Sequence, residues 1–204
     1  MNKAIGIVLL PSDEVIDLCI DINKEAFKHD KGRFQLSKDY IVPHISLAIG
    51  CCSEEDIADI IEIVKEVSNN QKPLHLNLEK FDIRERHYGK RVIINIGITD
   101  EVQKLHQKII NSVSDKYIKY ESPDMLAEGD ITGISKSSNK VINNFYDLYS
   151  NQNYNPHITL SCLEFENLGE TIKFPVEFMS NKIAIFQLGD GCTCRKLIDS
   201  FSLC

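Results

Sequence analysis

At 204 residues, 43% of them hydrophobic, the chain suits a single domain spanning 1–204 with a substantial core, built either as one unit or as two similar lobes. Its formal net charge of −7 excludes a protein that coats long nucleic acid by electrostatics alone, so a nucleic-acid substrate has to be small, or a terminus held in a local pocket. Seven cysteines, odd in number and without a C-x-x-C pair, read as reduced thiols of a cytoplasmic protein rather than as a disulfide framework.

The apolar run 4–10 is too short for a secretory core, lacks a small-residue cleavage site and breaks at Pro11-Ser12-Asp13, so it reads as a first strand. No later stretch is long enough to span a membrane. Ser12 is placed to cap a helix over 13–29, with Val15, Leu18, Cys19, Ile22 and Ala26 on one stripe. A strand over 44–50 follows. Ser53-Glu54-Glu55-Asp56 then has the form of a capping box, opening a helix whose Ile57, Ile60, Ile61, Val64 and Val67 face inward. Strands over 74–81 and 91–98 come next, joined by the charged connection 82–90. Asp100 opens a third helix with Val102, Leu105, Ile109 and Val113 inward, and the polar stretch 121–138 reads as a loop with a short strand around 130–134. A helix over 139–150 carries Val141, Ile142, Phe145 and Leu148. Strands over 157–163, 171–178, 182–188 and 194–201 complete the chain. Each half thus offers helices followed by a strand of similar sequence. That order predicts an α+β fold of two pseudo-symmetric lobes, each a mainly antiparallel sheet with helices outside, facing a central cleft.

The similar strands carry the chemistry. Pro43-His44-Ile45-Ser46-Leu47 returns as Pro156-His157-Ile158-Thr159-Leu160. Side chains alternate across a strand, which puts His44, Ser46, Ala48 and Gly50 on one face and Ile45, Leu47 and Ile49 on the other. In the second copy His157, Thr159 and Ser161 share a face opposite Ile158, Leu160 and Cys162. A solvated outer face needs only polarity, whereas here imidazole and hydroxyl recur in order, with small neighbours that leave room for a ligand.

On these two motifs the chain resembles the two-histidine (2H) phosphoesterase superfamily, whose hallmark is a pair of His-x-Thr/Ser motifs and which includes the RNA 2′,3′-cyclic phosphodiesterases named as 2′-5′ RNA ligases. The resemblance runs over nearly the whole length, with the Pro before each His and the late strand 183–188 where the family would have them. Ser46 departs from the Thr of many members but keeps the hydroxyl. The resemblance implies a phosphodiesterase without metal or cofactor, in which His44 and His157 are the acid and base and Ser46 and Thr159 hold the phosphate. Histidine, with an ordinary pKa near 6.5, is suited to either role at neutral pH. The implied partner is an RNA terminus, a short oligonucleotide or a nucleotide, with no membrane and no obligate protein partner. A hydrolase of a small cyclic or signalling nucleotide, and a nucleotide-binding protein without turnover, are the alternatives.

Around the motifs, Tyr40, Tyr88 and Tyr154 are candidates to stack a base, and Arg195 to meet a phosphate. Two basic stretches, Lys31-Gly32-Arg33-Phe34 and 84–91, are candidates to line the cleft. The other histidines read as ordinary: His29 at a helix end, His75 off the core, His106 on a helix flank. His29-Asp30 lacks companions at metal-ligand spacing, and no Gly-rich phosphate loop or G-x-S-x-G elbow occurs.

Overall fold

The computed structural model describes residues 1–86, 89–127 and 133–204. In chain order the elements are β1 (Asn2–Leu10), α1 (Asp13–Lys28), β2 (Ile45–Ser53), α2 (Ile57–Asn69), β3 (Leu74–Arg86), β4 (Gly89–Ile96), α3 (Asp100–Val113), α4 (Lys136–Tyr149), β5 (His157–Leu163), β6 (Val176–Ser180), β7 (Lys182–Gly189) and β8 (Thr193–Ser202). The strands make one antiparallel sheet in the order β6-β3-β4-β5-β2-β1-β7-β8. Its two halves mirror one another, each running outward from a motif strand. They meet at the single pair Ile45↔Ile158. The two-lobed α+β organisation is therefore present, and the lobes share a sheet.

Each motif strand buries its apolar face completely: Ile45, Leu47, Ile158 and Leu160 are all 0% exposed. The helices cross over to cover these strands, α1 packing on β5 and α4 on β2, so each lobe's helix closes the other lobe's core. In α1 the expected stripe of Val15, Cys19, Ile22 and Ala26 is buried and its Leu18 partly so, while Val102, Leu105, Ile109 and Val113 are buried in α3.

Several boundaries differ from expectation. The charged stretch 82–86 is not a connection but the end of β3, because Asp82 to Arg86 pair residue by residue with Ile93 to Gly89. Ser53 does not cap α2; it is the last residue of β2, and its Oγ donates to Asp56 Oδ2 at 2.6 Å while Asp56 is the N-cap. Ser12 is the N-cap of α1 without a side-chain cap bond. Helix α4 starts at Lys136, where Ser135 Oγ accepts from Ser138 N. Asn144 leaves helical geometry (φ −136°, ψ 20°), and Leu148, expected inward, is 44% exposed. Strand β6 begins only at Val176, after the 3₁₀ turn Leu168–Glu170. Most of the short strand expected at 130–134 lies outside the described residues.

Both motif strands are bulged just beyond the motif. On β2, Ile7 pairs with Ala48 but Val8 with Ser46, so Leu47 is an extra residue. On β5, Ile93 pairs with Thr159 and Arg91 with Leu163, four residues against two, with Ser161 at φ 52°. A bulge shifts the facing of everything after it. Ile49 consequently lines the cleft, and Ala48 and Gly50, expected beside His44, do not. Gly50 makes room for the Tyr117 ring instead, which lies where a Cβ would be.

Candidate functional site

A cleft of about 470 Å³ lies where the lobes meet, and His44, Ser46, His157 and Thr159 all line it. The Ile45↔Ile158 pair sets their arrangement. Moving one residue either way along that antiparallel register brings His44 opposite Thr159 and Ser46 opposite His157, all four on the face away from the core. The histidines thus occupy one diagonal of a square and the hydroxyls the other.

Both rings are anchored alike. His44 Nδ1 lies 2.7 Å from the carbonyl oxygen of Val42, and His157 Nδ1 lies 2.8 Å from that of Asn155, in each case two residues back. A carbonyl only accepts, so Nδ1 carries the hydrogen and each neutral ring presents a bare Nε2. Burial lowers the pKa of His44 and is assisted by the Arg91 guanidinium, against the opposing bond to Val42. For His157 burial is again the main cause, and Arg91, Arg84 and His44 add to it, depressing the ring to about 3. Both imidazoles are therefore neutral at pH 7.

Arg91 belongs to the same constellation. Its Nη2 donates to Thr159 Oγ1 at 2.6 Å, which leaves the threonine's own proton to be given elsewhere. Arg84 sits directly across from Arg91 on β3 and also lines the cleft, as do Arg33 and Phe34. The two basic stretches singled out in the sequence thus both contribute to the wall.

Buried polar side chains from the helices secure the two bulges. The carbonyl of the extra residue Leu47 lies 2.7 Å from His106 Nδ1, and His106 Nε2 accepts Asn151 N–H at 3.0 Å. His106 is 0% exposed and its ring stacks on Tyr154 at 3.7 Å, while Tyr154 Oη donates to the Ser46 carbonyl at 3.1 Å. On the other side Asn23, 1% exposed, donates Nδ2 to the Leu160 carbonyl at 2.8 Å and accepts Leu36 N–H at 2.9 Å. Neither His106 nor Asn23 was marked by the sequence as more than an element residue. The signal that was available is an odd polar residue within a buried stripe.

The outer candidates fare unevenly. Tyr154 lines the cleft but is only 5% exposed and is committed to Ser46 and His106, so it is a brace rather than a stacking platform at the rim. Tyr40 and Arg195 are not among the lining residues. They form a rim cluster with the Arg195 guanidinium 4.5 Å from the Tyr40 ring centre and 5.7 Å from that of Phe34. Tyr88 lies outside the described residues. Among the described residues no three His, Cys, Asp or Glu side chains gather as metal ligands would, and no helix is long and apolar enough to cross a membrane.

A family model described as the 2′-5′ RNA ligase superfamily matches residues 27–190. Among solved structures, TT0787 of Thermus thermophilus is similar with a TM-score of 0.61 at 13% identity, over 98% of this chain and 98% of that one. LigT of E. coli in its apo form gives 0.56 at 13% identity, over 99% and 98%. The same protein complexed with 3′-AMP gives 0.54 at 12% identity, again over 99% and 98%. At such identities the likeness is one of fold. No curated protein matches the chain.

Proposed function

The chain belongs to the 2′-5′ RNA ligase superfamily of two-histidine phosphoesterases, and on that premise we propose that it is a phosphodiesterase opening 2′,3′-cyclic phosphates or 2′-5′ phosphodiesters of RNA ends or short oligonucleotides. The observation that carries this reading is the square of His44, Thr159, His157 and Ser46 on one cleft face, with both Nδ1 atoms tied to carbonyls. It supplies two proton carriers and two hydroxyl donors around a space suited to one phosphorus.

In the proposed reaction one imidazole Nε2 takes a proton from water as the water oxygen bonds to phosphorus. The bond from phosphorus to one ribose oxygen breaks, and the other imidazole gives that oxygen its proton. Water is consumed and a phosphomonoester is left. Ser46 and Thr159 donate to the non-bridging oxygens, and Arg91 balances the charge that gathers on them. An arriving phosphate also offsets the field of Arg91 and raises the pKa of the imidazole that must act as acid.

The test is turnover of adenosine 2′,3′-cyclic phosphate and of a 2′-5′-linked dinucleotide in the presence of EDTA, by the parent, His44→Ala and His157→Ala. The expected result is a phosphomonoester product with the parent and a loss on the order of a hundredfold or more with either variant. A parent that opens neither substrate, or activity lost with chelator and restored by zinc or manganese, would overturn the proposal.

A further inference from the structure

The hairpin β3–β4 treats its two faces differently. On the outer face Glu85 is opposite Lys90, an attractive pair, and Lys90 Nζ also lies 3.2 Å from Glu164 Oε2. On the cleft face the directly opposed residues are Arg84 and Arg91. Like charges directly opposite on neighbouring strands destabilise a sheet, and here they sit in the cleft of a chain whose net charge is −7. Arg91 is tied to Thr159 and Arg84 to Asp82, yet both guanidinium groups still line the one cleft. Such a pair suits a ligand with more than one negative charge.

The order of residues across the sheet says how that ligand lies. Thr159 on β5 is bound by Arg91 on β4, and Arg84 is on β3, one strand further out. Strands are spaced about 4.8 Å apart, so Arg84 is rooted roughly 10 Å from the Thr159 strand, about twice as far out as Arg91. Asp82 Oδ2, 3.2 Å from Arg84 Nε, steadies the side chain from along its own strand. The other lobe has no equivalent. Two residues before Val8, the partner of Ser46, stands Gly6 opposite Phe186, where two residues before Ile93, the partner of Thr159, stands Arg91 opposite Arg84.

We propose that Arg91 and Arg84 form a two-phosphate track, Arg91 with Thr159 meeting the reacting phosphate and Arg84 the next one along, so that the substrate is a chain of two or more nucleotides leaving the cleft over β3–β4. The inference rests on the phosphodiesterase reading of the same site and adds to it the residue that meets the second phosphate and the side of the cleft on which the chain leaves.

The experiment compares a dinucleotide ending in a 2′,3′-cyclic phosphate with the same dinucleotide carrying a neutral methylphosphonate link, each as kcat/KM relative to the mononucleoside 2′,3′-cyclic phosphate. That common denominator cancels any change at His157 itself. The parent is expected to prefer the charged link by roughly tenfold or more, the scale of a charge-assisted bond, and Arg84→Gln to lose that preference. A parent indifferent to the charge of the link, or an Arg84→Gln enzyme that keeps the preference, overturns the track. If the parent opens no cyclic phosphate, the phosphodiesterase reading has failed. Calorimetric binding of the 3′-phosphorylated dinucleotide with each kind of link then decides the track by the same comparison.

Discussion

His106→Ala removes a side chain that touches no proposed substrate, yet it should be among the most damaging single changes in the protein. Its ring holds the bulge carbonyl of Leu47 through Nδ1 at 2.7 Å, accepts Asn151 N–H at 3.0 Å and stacks on Tyr154 at 3.7 Å. Stranding a buried polar group costs about 1–3 kcal/mol, and two backbone groups are stranded here; the lost stack adds about 0.5–1.5 kcal/mol. The sum, about 2.5–7.5 kcal/mol, is a large part of the roughly 5–15 kcal/mol that keeps a domain folded. Urea unfolding of parent and variant at pH 7.5, where His106 is neutral, measures it. Tyr154→Phe removes the bond to the Ser46 carbonyl and should couple to His106→Ala in a double-mutant cycle, because the rings support each other. A His106→Ala protein within about 1 kcal/mol of the parent, the range of an ordinary surface substitution, would refute the brace.

Three further outcomes follow from the same geometry. His44, His106 and His157 all have folded pKa values below the ordinary 6.5, so the unfolded chain binds more protons below that pH; stability should be full above about 6.5 and fall as pH drops toward about 3, and urea midpoints that do not decrease between pH 7 and pH 5, above the carboxylate range, would contradict this. Because the free enzyme holds both cleft imidazoles neutral at pH 7 and one must carry a proton, the bell-shaped kcat/KM profile should peak below pH 6.5, and a maximum above pH 7.5 would count against the depressed values. Ile158→Ala, at a position 0% exposed where the lobes join, should cost roughly 2–5 kcal/mol in unfolding experiments, whereas His157→Ala should stay within about 1 kcal/mol; equal losses would assign His157 to the core.

The repeated motif was legible because strand alternation is a local property: Ile45 and Leu47 are buried and His44 and Ser46 face the cleft as a period of two requires. The same rule failed three residues later, since a bulge is decided by the partner strand. Nothing between 44 and 50 announces that Ile7 and Val8 will pair across a gap. Residues 82–86 were hidden for the same reason, their charges suggesting a connection until Arg84 and Glu85 are matched with Arg91 and Lys90. His106 and Tyr154 are separated by 45 or more residues from the atoms they hold, so no window of sequence contains the contact. These failures share a cause that bears on function. Duplication keeps what both lobes need, a histidine, a hydroxyl and an anchoring carbonyl, and it is therefore visible as repetition. What distinguishes the lobes, Arg91 and Arg84 on one side against Gly6 and Phe186 on the other, is by definition not repeated. The proposed chemistry accordingly rests on the motifs, while the proposed direction of the substrate rests on the asymmetry, and only pairing across strands brings that asymmetry together.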